Sequence, residues 1–209
     1  QILDFSNGEP EKNGLAGLSY AYQDITFDLI TNRDDSRFDY NIEFQPSYAW
    51  NDMNSTNGLK SSGIWSFLRS QKRKFNTYFE NKFGFDLDRY TAKNKKKVMQ
   101  ISYDETWNAI LTHNPSSKKN IPGAFVGWDN TPRKGVNGRV FIGDTPEKFK
   151  EYLTKQVRRV KDVYKKDIMF MYAWNEWAEG GYLEPDERTG YRNLEAIRDA
   201  LKENHEFPW

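Results

Sequence analysis

Residues 168–174 (Ile-Met-Phe-Met-Tyr-Ala-Trp) form an unbroken apolar run that turns polar within a single residue. The run is short and rich in aromatics, which predicts a strand buried on both faces rather than a helix. Asn175, Glu176 and Glu179 follow at once, and Gly180, Gly181 and Pro185 prevent a regular helix or central strand beyond them. A buried strand that emerges into carboxylates constrains the fold strongly. In parallel α/β proteins the loops at the strand C-termini converge on one mouth, and ligands bind there.

The rest of the chain alternates in the way such a fold needs. Strands are expected over 15–22, 40–45, 98–103 and 121–128, the second closed by Pro46. Short helices are expected over 25–31 and 104–112, the latter capped by Asp104. A longer helix over 64–83 carries Ile64, Phe67, Leu68, Phe75 and Phe79 as its apolar stripe. Residues 46–63 show no period and read as a long loop. Thr145 and Pro146 open a helix with the residues preferred at N-cap and N1, and Phe149, Leu153, Val157, Val160 and Tyr164 keep its 3.6-residue period up to Lys165 and Lys166. Tyr191, Leu194, Ile197 and Leu201 mark a last amphipathic helix. Strand and helix in alternation imply right-handed crossovers and a parallel sheet. The fold class is therefore α/β of (β/α)-barrel type. Parallel strands with polar loops at their C-terminal ends resemble the C-terminal half of an eight-stranded barrel, with residues 1–209 as a single domain.

Composition excludes several function classes. Lys+Arg 31 against Asp+Glu 30 gives a formal net charge of +1, so no global field recruits nucleic acid or an anionic membrane. With no cysteine there is no disulfide scaffold, thiolate metal site or cysteine nucleophile, which fits a cytoplasmic location. The two histidines, His113 and His205, have no partners at metal-ligand spacing, so no metal and no cofactor are expected. The Lys93-Asn-Lys-Lys-Lys97 run reads as a solvated loop. No apolar run approaches the ~18 residues of a membrane span. The chain starts at Gln1 without a signal-peptide pattern and reads as a processed product or a piece of a longer one.

Glu176 and Glu179 are the candidate catalytic pair. At a bent strand end both can face one cleft, one donating a proton to a leaving oxygen and the other acting as base or nucleophile in acetal chemistry. Held close together, two such acids also have their pKa values pushed apart. Trp174 and Trp177 are candidates for stacking on sugar rings, although at least one of them is expected in the core. Beyond the strand at 121–128, Trp128, Asp129 and Arg133 are candidates for holding substrate hydroxyls or an anionic group. For Asp129 and Arg133 an ordinary loop ion pair is the competing reading. Asn175, Tyr182 and Glu184 complete the expected substrate-binding set.

The segment Asn175-Glu-Trp-Ala-Glu-Gly180, with Leu183-Glu-Pro185 beyond it, resembles the Asn-Glu-Trp-x-Glu-Gly signature of the endo-α-mannosidase family, glycoside hydrolase family ninety-nine. A broader set resembles the related WbsX-type polysaccharide-biosynthesis proteins: Ile42-Glu-Phe-Gln-Pro46, Pro122 through Arg133, Phe141-Ile-Gly-Asp-Thr-Pro146, and Ala173 through Arg188. The resemblance implies a (β/α)-barrel. It implies that Glu179 is the general acid/base and that Glu176 assists the substrate's own 2-hydroxyl. Ala178 stands where the hydrolases carry histidine. The substrate-binding residues that the family places in the N-terminal half of the barrel have no counterpart in this chain. The expected partners are an oligosaccharide or polysaccharide substrate and a missing N-terminal half or second copy. A nucleotide-sugar donor is an open alternative that no Gly-rich phosphate cradle supports. Glycosyl transfer in lipopolysaccharide, O-antigen or capsule assembly, retaining endo-hydrolysis of α-mannoside-like chains, and a non-catalytic carbohydrate-binding remnant are the three functions in competition.

Overall fold

The structure is a computed structural model that describes residues 12–14, 18–24, 36–56 and 97–208. The expected helices over 25–31 and 64–83, part of the first strand and most of the lysine run lie outside these residues. The first half of the described chain holds β1 (Ala21–Asp24), β2 (Tyr40–Glu43), α1 (Ser47–Thr56), β3 (Met99–Ser102), α2 (Tyr103–Thr112), β4 (Asn120–Ile121) and β5 (Gly123–Phe125). Then come α3 (Thr131–Lys134), β6 (Arg139–Ile142), α4 (Pro146–Asp162), β7 (Phe170–Tyr172), β8 (Asn175–Glu176), β9 (Gly181–Tyr182) and α5 (Arg192–Glu203).

The strand pairs are parallel, as the alternation implies: β1 with β2, β2 with β4, β5 with β7, and β3 with β6. Pro122 separates β4 from β5. A proline has no N–H to give a ladder, so pairing changes side there. Before it the chain pairs with β2, and after it with β7, whose Phe170 amide bonds the Pro122 carbonyl at 3.1 Å. The architecture is thus α/β with parallel strands. Among the described residues the ladders do not close into a barrel, and β3 pairs with β6 instead of entering the ladder beside β2.

Several expectations are corrected locally. Residues 47–56 form helix α1 rather than loop. The stretch is poor in strong helix formers, but the Gln45 side-chain oxygen accepts from the Ala49 amide at 3.1 Å and closes its first turn, and Ala49 is buried in the core. Helix α2 is capped by Ser102 instead of Asp104, because Ser102 Oγ accepts from the Glu105 amide at 3.2 Å. Asp104 turns outward to Lys148 and Tyr152, at 2.7 and 2.8 Å. β7 is shorter than the apolar run and is not buried on both faces: Phe170 is about half exposed, as is Ile168 just before the strand, and β7 pairs only with β5 among the described residues. β6 was not anticipated.

Helix α4 follows expectation at its start. Thr145 Oγ1 accepts from the Lys148 amide at 3.2 Å, Pro146 opens the helix, and Phe149, Leu153, Val157 and Val160 are buried. It ends at Asp162, ahead of the two lysines, and Tyr164 is buried beyond it. The core beneath α2 and α4 is aromatic. Trp107 is stacked between Phe125 and Tyr152, with ring centroids 5.5 and 5.6 Å apart, and Tyr103 packs edge-on against Phe125 at 5.2 Å. A ring of this kind buries about 150–250 Å², which at about 25 cal/mol per Å² contributes roughly 4–6 kcal/mol.

A polar tie joins the helices to the sheet. Glu43, at the end of β2, is fully buried. It accepts from Asn120 Nδ2 and from the Tyr164 hydroxyl, both at 2.7 Å, so each of its buried oxygens has a hydrogen-bond partner. No helix among the described residues is long and apolar enough to cross a membrane.

Candidate functional site

The site begins where β7 ends. Beyond Tyr172 the chain turns into the β8–β9 hairpin, whose strands pair Asn175 with Tyr182 and Glu176 with Gly181, and whose tip is a 3-10 turn over Trp177–Glu179. The two glycines are there for close approach. Gly180 has φ +61°, and a Cβ on it would lie 2.9 Å from the Asp129 amide nitrogen. A Cβ on Gly181 would lie 2.2 Å from a ring carbon of Tyr172. The hairpin is therefore pressed against both the loop after β5 and the end of β7. The Asp129 amide, donating to the Glu179 carbonyl at 2.7 Å, fixes the first of these contacts.

The Glu179 carboxylate is held by two parts of the chain. Its side chain is only 14% exposed. One carboxylate oxygen takes the Arg133 guanidinium from α3, and the other accepts from the Tyr172 hydroxyl at 2.9 Å. Burial pushes the Tyr172 phenol well above its ordinary range, and the nearby charge of Glu176 pushes it further, against the pull of Arg133. A neutral phenol is a donor at every physiological pH, so Tyr172 always presents its hydrogen to Glu179. Glu179 is thus bonded directly to this tyrosine, and Glu176 acts on it through its charge. Tyr172 in turn stacks on Trp128, with centroids 4.9 Å apart at 23°, and meets Phe44 edge-on at 5.2 Å.

Neither hairpin tryptophan is in the core, contrary to the expectation for at least one. Trp174 is 54% and Trp177 49% exposed, because both ride on the polar hairpin rather than on the strand. Trp177 stacks on Tyr182 at 3.7 Å and 17°, and its Nε1 donates to Glu184 at 2.6 Å. Asn175 is exposed. Arg133 pairs with Glu179, the candidate acid itself, from outside its own loop. Asp129 uses one oxygen within its own loop, accepting from the Thr131 amide at 2.9 Å and hydroxyl at 2.6 Å.

A cavity of about 350 Å³ lies beside the hairpin. Trp128, Asp129, Trp177 and Tyr182 from the expected set line it, whereas Arg133, Trp174, Asn175, Glu176, Glu179 and Glu184 do not. It also contains Asp144, Asp186 and Arg188, which the sequence reading did not single out. Asp186 is fully engaged: it accepts from the Tyr182 hydroxyl at 2.7 Å and from the Thr189 amide and hydroxyl at 2.5 and 2.8 Å. Burial raises its pKa, but these hydrogen bonds together outweigh that and bring it down to about 2. Asp144 goes the other way. Burial raises it, Arg188 offsets part of the rise and Asp129 adds to it. Asp144 sits in one of the segments that carry the WbsX resemblance, and Tyr172 is the last residue of the apolar strand. Those positions were the available signals for both.

A family model described as Glycosyltransferase WbsX matches residues 1–197. Two curated proteins, each named Uncharacterized protein WxcX, come from Xanthomonas campestris pv. campestris strains B100 and ATCC 33913. Each is 43% identical to this chain over 82 residues, which is 38% of this chain and 12% of the relative. The chain thus matches about an eighth of the length of these relatives. No solved structure matches it.

Proposed function

The chain belongs to the WbsX glycosyltransferase family, and we propose that it makes or remodels glycosidic bonds in the assembly of a surface polysaccharide, at the hairpin bearing Glu176 and Glu179. The observation that carries this reading is the clamp on Glu179. A glutamate at the tip of the hairpin that follows a parallel strand is held by Arg133 and Tyr172 in one orientation, on the same hairpin as a second glutamate and the Trp177–Tyr182 stack. Such a fixed carboxylate suits general acid/base work, which contributes about 10²–10⁴-fold when the group is positioned at the reacting oxygen.

In this reading Glu179, held as a carboxylate by Arg133 and Tyr172 in the free protein, takes up a proton before the reaction and gives it to the departing glycosidic oxygen as the bond to the anomeric carbon breaks. It then takes a proton back from the hydroxyl that attacks that carbon. Glu176 assists at the anomeric centre, and Trp174 and Trp177 offer faces to sugar rings. An acceptor sugar as attacking hydroxyl gives transfer, and water gives hydrolysis. Retaining endo-hydrolysis of an α-mannoside-like chain is the second reading. It is favoured by two carboxylates on one hairpin, one of them bonded to Tyr172, an arrangement that needs no nucleotide donor. A (β/α)-barrel completed by residues outside those described belongs to the same proposal.

Incubation of the purified protein with α-linked oligosaccharides, with and without nucleotide sugars, followed by mass spectrometry, separates the readings. Chain extension or exchange of sugar units supports transfer, and accumulation of reducing ends without extension supports hydrolysis. Recovery of every substrate unchanged contradicts both.

A further inference from the structure

We infer that the 350 Å³ cavity beside the hairpin is a subsite for one neutral sugar residue with adjacent hydroxyls, next to the residue that reacts at Glu179. The inference rests on the carbohydrate reading proposed above and adds to it a substrate class and a second set of residues. Its size falls in the range of small-ligand sites, about 300–1,000 Å³. One wall is the Trp177–Tyr182 stack, at 3.7 Å, an apolar face of the kind against which the C–H side of a pyranose lies flat.

The polar groups divide into those already used and those with capacity left. Both oxygens of Asp186 are engaged by Tyr182 and Thr189, so this residue stiffens the aromatic wall and recognises nothing. Asp129 spends one oxygen on Thr131. Asp144 and Arg188 face each other at 3.8 Å, too far for a hydrogen bond, with the Asp144 side chain 36% exposed. Acceptor and donor at that separation match a vicinal diol, one hydroxyl donating to the carboxylate and the other accepting from the guanidinium. Gly127 lies against this point: a Cβ there would sit 3.1 Å from Asp144 Oδ2, and a side chain would fill the space beside the carboxylate.

Charge sets the class of ligand. Asp129, Asp144 and Asp186 line the cavity with Arg188 as the one basic residue of the lining. A uronate or a nucleoside diphosphate placed here meets more negative charge than positive, and like charges brought together cost free energy. The cavity is therefore an acceptor-side or chain-side subsite, not the seat of a nucleotide donor. Its position agrees, since Trp177 and Gly180 line it while the Glu176 and Glu179 side chains do not.

The test is saturation-transfer NMR on the purified protein with methyl α-mannoside, methyl α-glucoside, N-acetylglucosamine and glucuronate, repeated on Asp144→Ala, Asp144→Asn and Arg188→Ala. At least one neutral sugar is expected to bind and glucuronate is not. Asp144→Ala is expected to weaken binding roughly tenfold or more, since it removes a charged hydrogen-bond partner. Arg188 is exposed, so Arg188→Ala folds whether or not the Asp144 variants do, and it too is expected to weaken binding. Transfer to none of the neutral sugars, equal binding of glucuronate, or unchanged affinity in the Arg188 and folded Asp144 variants overturns the subsite. Glu179→Gln keeps the two proposals apart. Sugar binding without any turnover in the wild type sinks the enzymatic reading and leaves the subsite. Turnover that depends on Glu179 but sugar binding indifferent to Asp144 and Arg188 sinks the subsite alone.

Discussion

Replacing Tyr172 by phenylalanine deletes one atom and tests how Glu179 is held. The hydroxyl donates to Glu179 Oε2 at 2.9 Å, and Phe retains the ring that stacks on Trp128 and fills the space beneath Gly181. A hydrogen bond to a charged acceptor contributes about 1.5–3 kcal/mol. Glu179 is largely buried but Tyr172 is only half-buried, so water replaces part of the lost bond and the expected cost is about 1–2 kcal/mol. Urea unfolding of the wild type and variant should show that loss as a lower midpoint at unchanged slope. If the phenol also fixes the acid/base during turnover, the same energy appears as roughly a tenfold loss in kcat/KM, because about 1.4 kcal/mol is a factor of ten. A Tyr172→Phe protein with wild-type midpoint and wild-type turnover would refute the reasoning: the hydroxyl would then contribute nothing to holding Glu179.

Other changes have effects of stated size. Glu43→Ala leaves the buried Asn120 amide and Tyr164 hydroxyl without their acceptor and, at about 1–3 kcal/mol for each, should cost about 2–6 kcal/mol by thermal or urea unfolding. A loss below about 1 kcal/mol would show that the tie is not structural. Asp186 has a folded pKa depressed to about 2, so its contribution is complete above the unfolded value near 4 and is lost as pH falls through about 2. Asp186→Asn should therefore lower stability by about 1 kcal/mol at neutral pH, and the gap to wild type should narrow as acid is added; a pH-independent gap would contradict this. Gly181→Ala forces Tyr172 aside and should cost about 1–3 kcal/mol, checked by melting temperature against a neutral surface substitution such as Lys165→Arg.

Much of the architecture is legible before any coordinates. Thr145 and Pro146 announce α4 because a cap and a fixed φ are local chemistry, and Phe149, Leu153, Val157 and Val160 show the buried face by spacing alone. The parallel ladders follow from alternation. What escapes the sequence depends on distant partners. Helix α1 forms in a stretch of Ser, Asn and Asp because Gln45 closes its first turn and Ala49 docks on the core. β6 is a four-residue strand between loops, defined by pairing with β3 across some forty residues of chain. The candidate site is legible in the same uneven way. Glu176 and Glu179 stand out as acids after an apolar strand, and Arg133 as a cation beyond another. That Arg133 meets Glu179, and that Tyr172 completes the clamp, depends on the register of β5 against β7. Asp144 and Arg188 face the same cavity from segments that no periodicity relates.

Glu179→Gln is the most direct test of Glu179 as the acid/base. Turnover of whichever glycan the mass-spectrometric panel identifies is measured for the variant and the wild type, with circular dichroism and melting temperature as controls for folding. The account predicts a folded protein with turnover reduced at least about 10²-fold. A folded Glu179→Gln protein that turns over the glycan at the wild-type rate would contradict it.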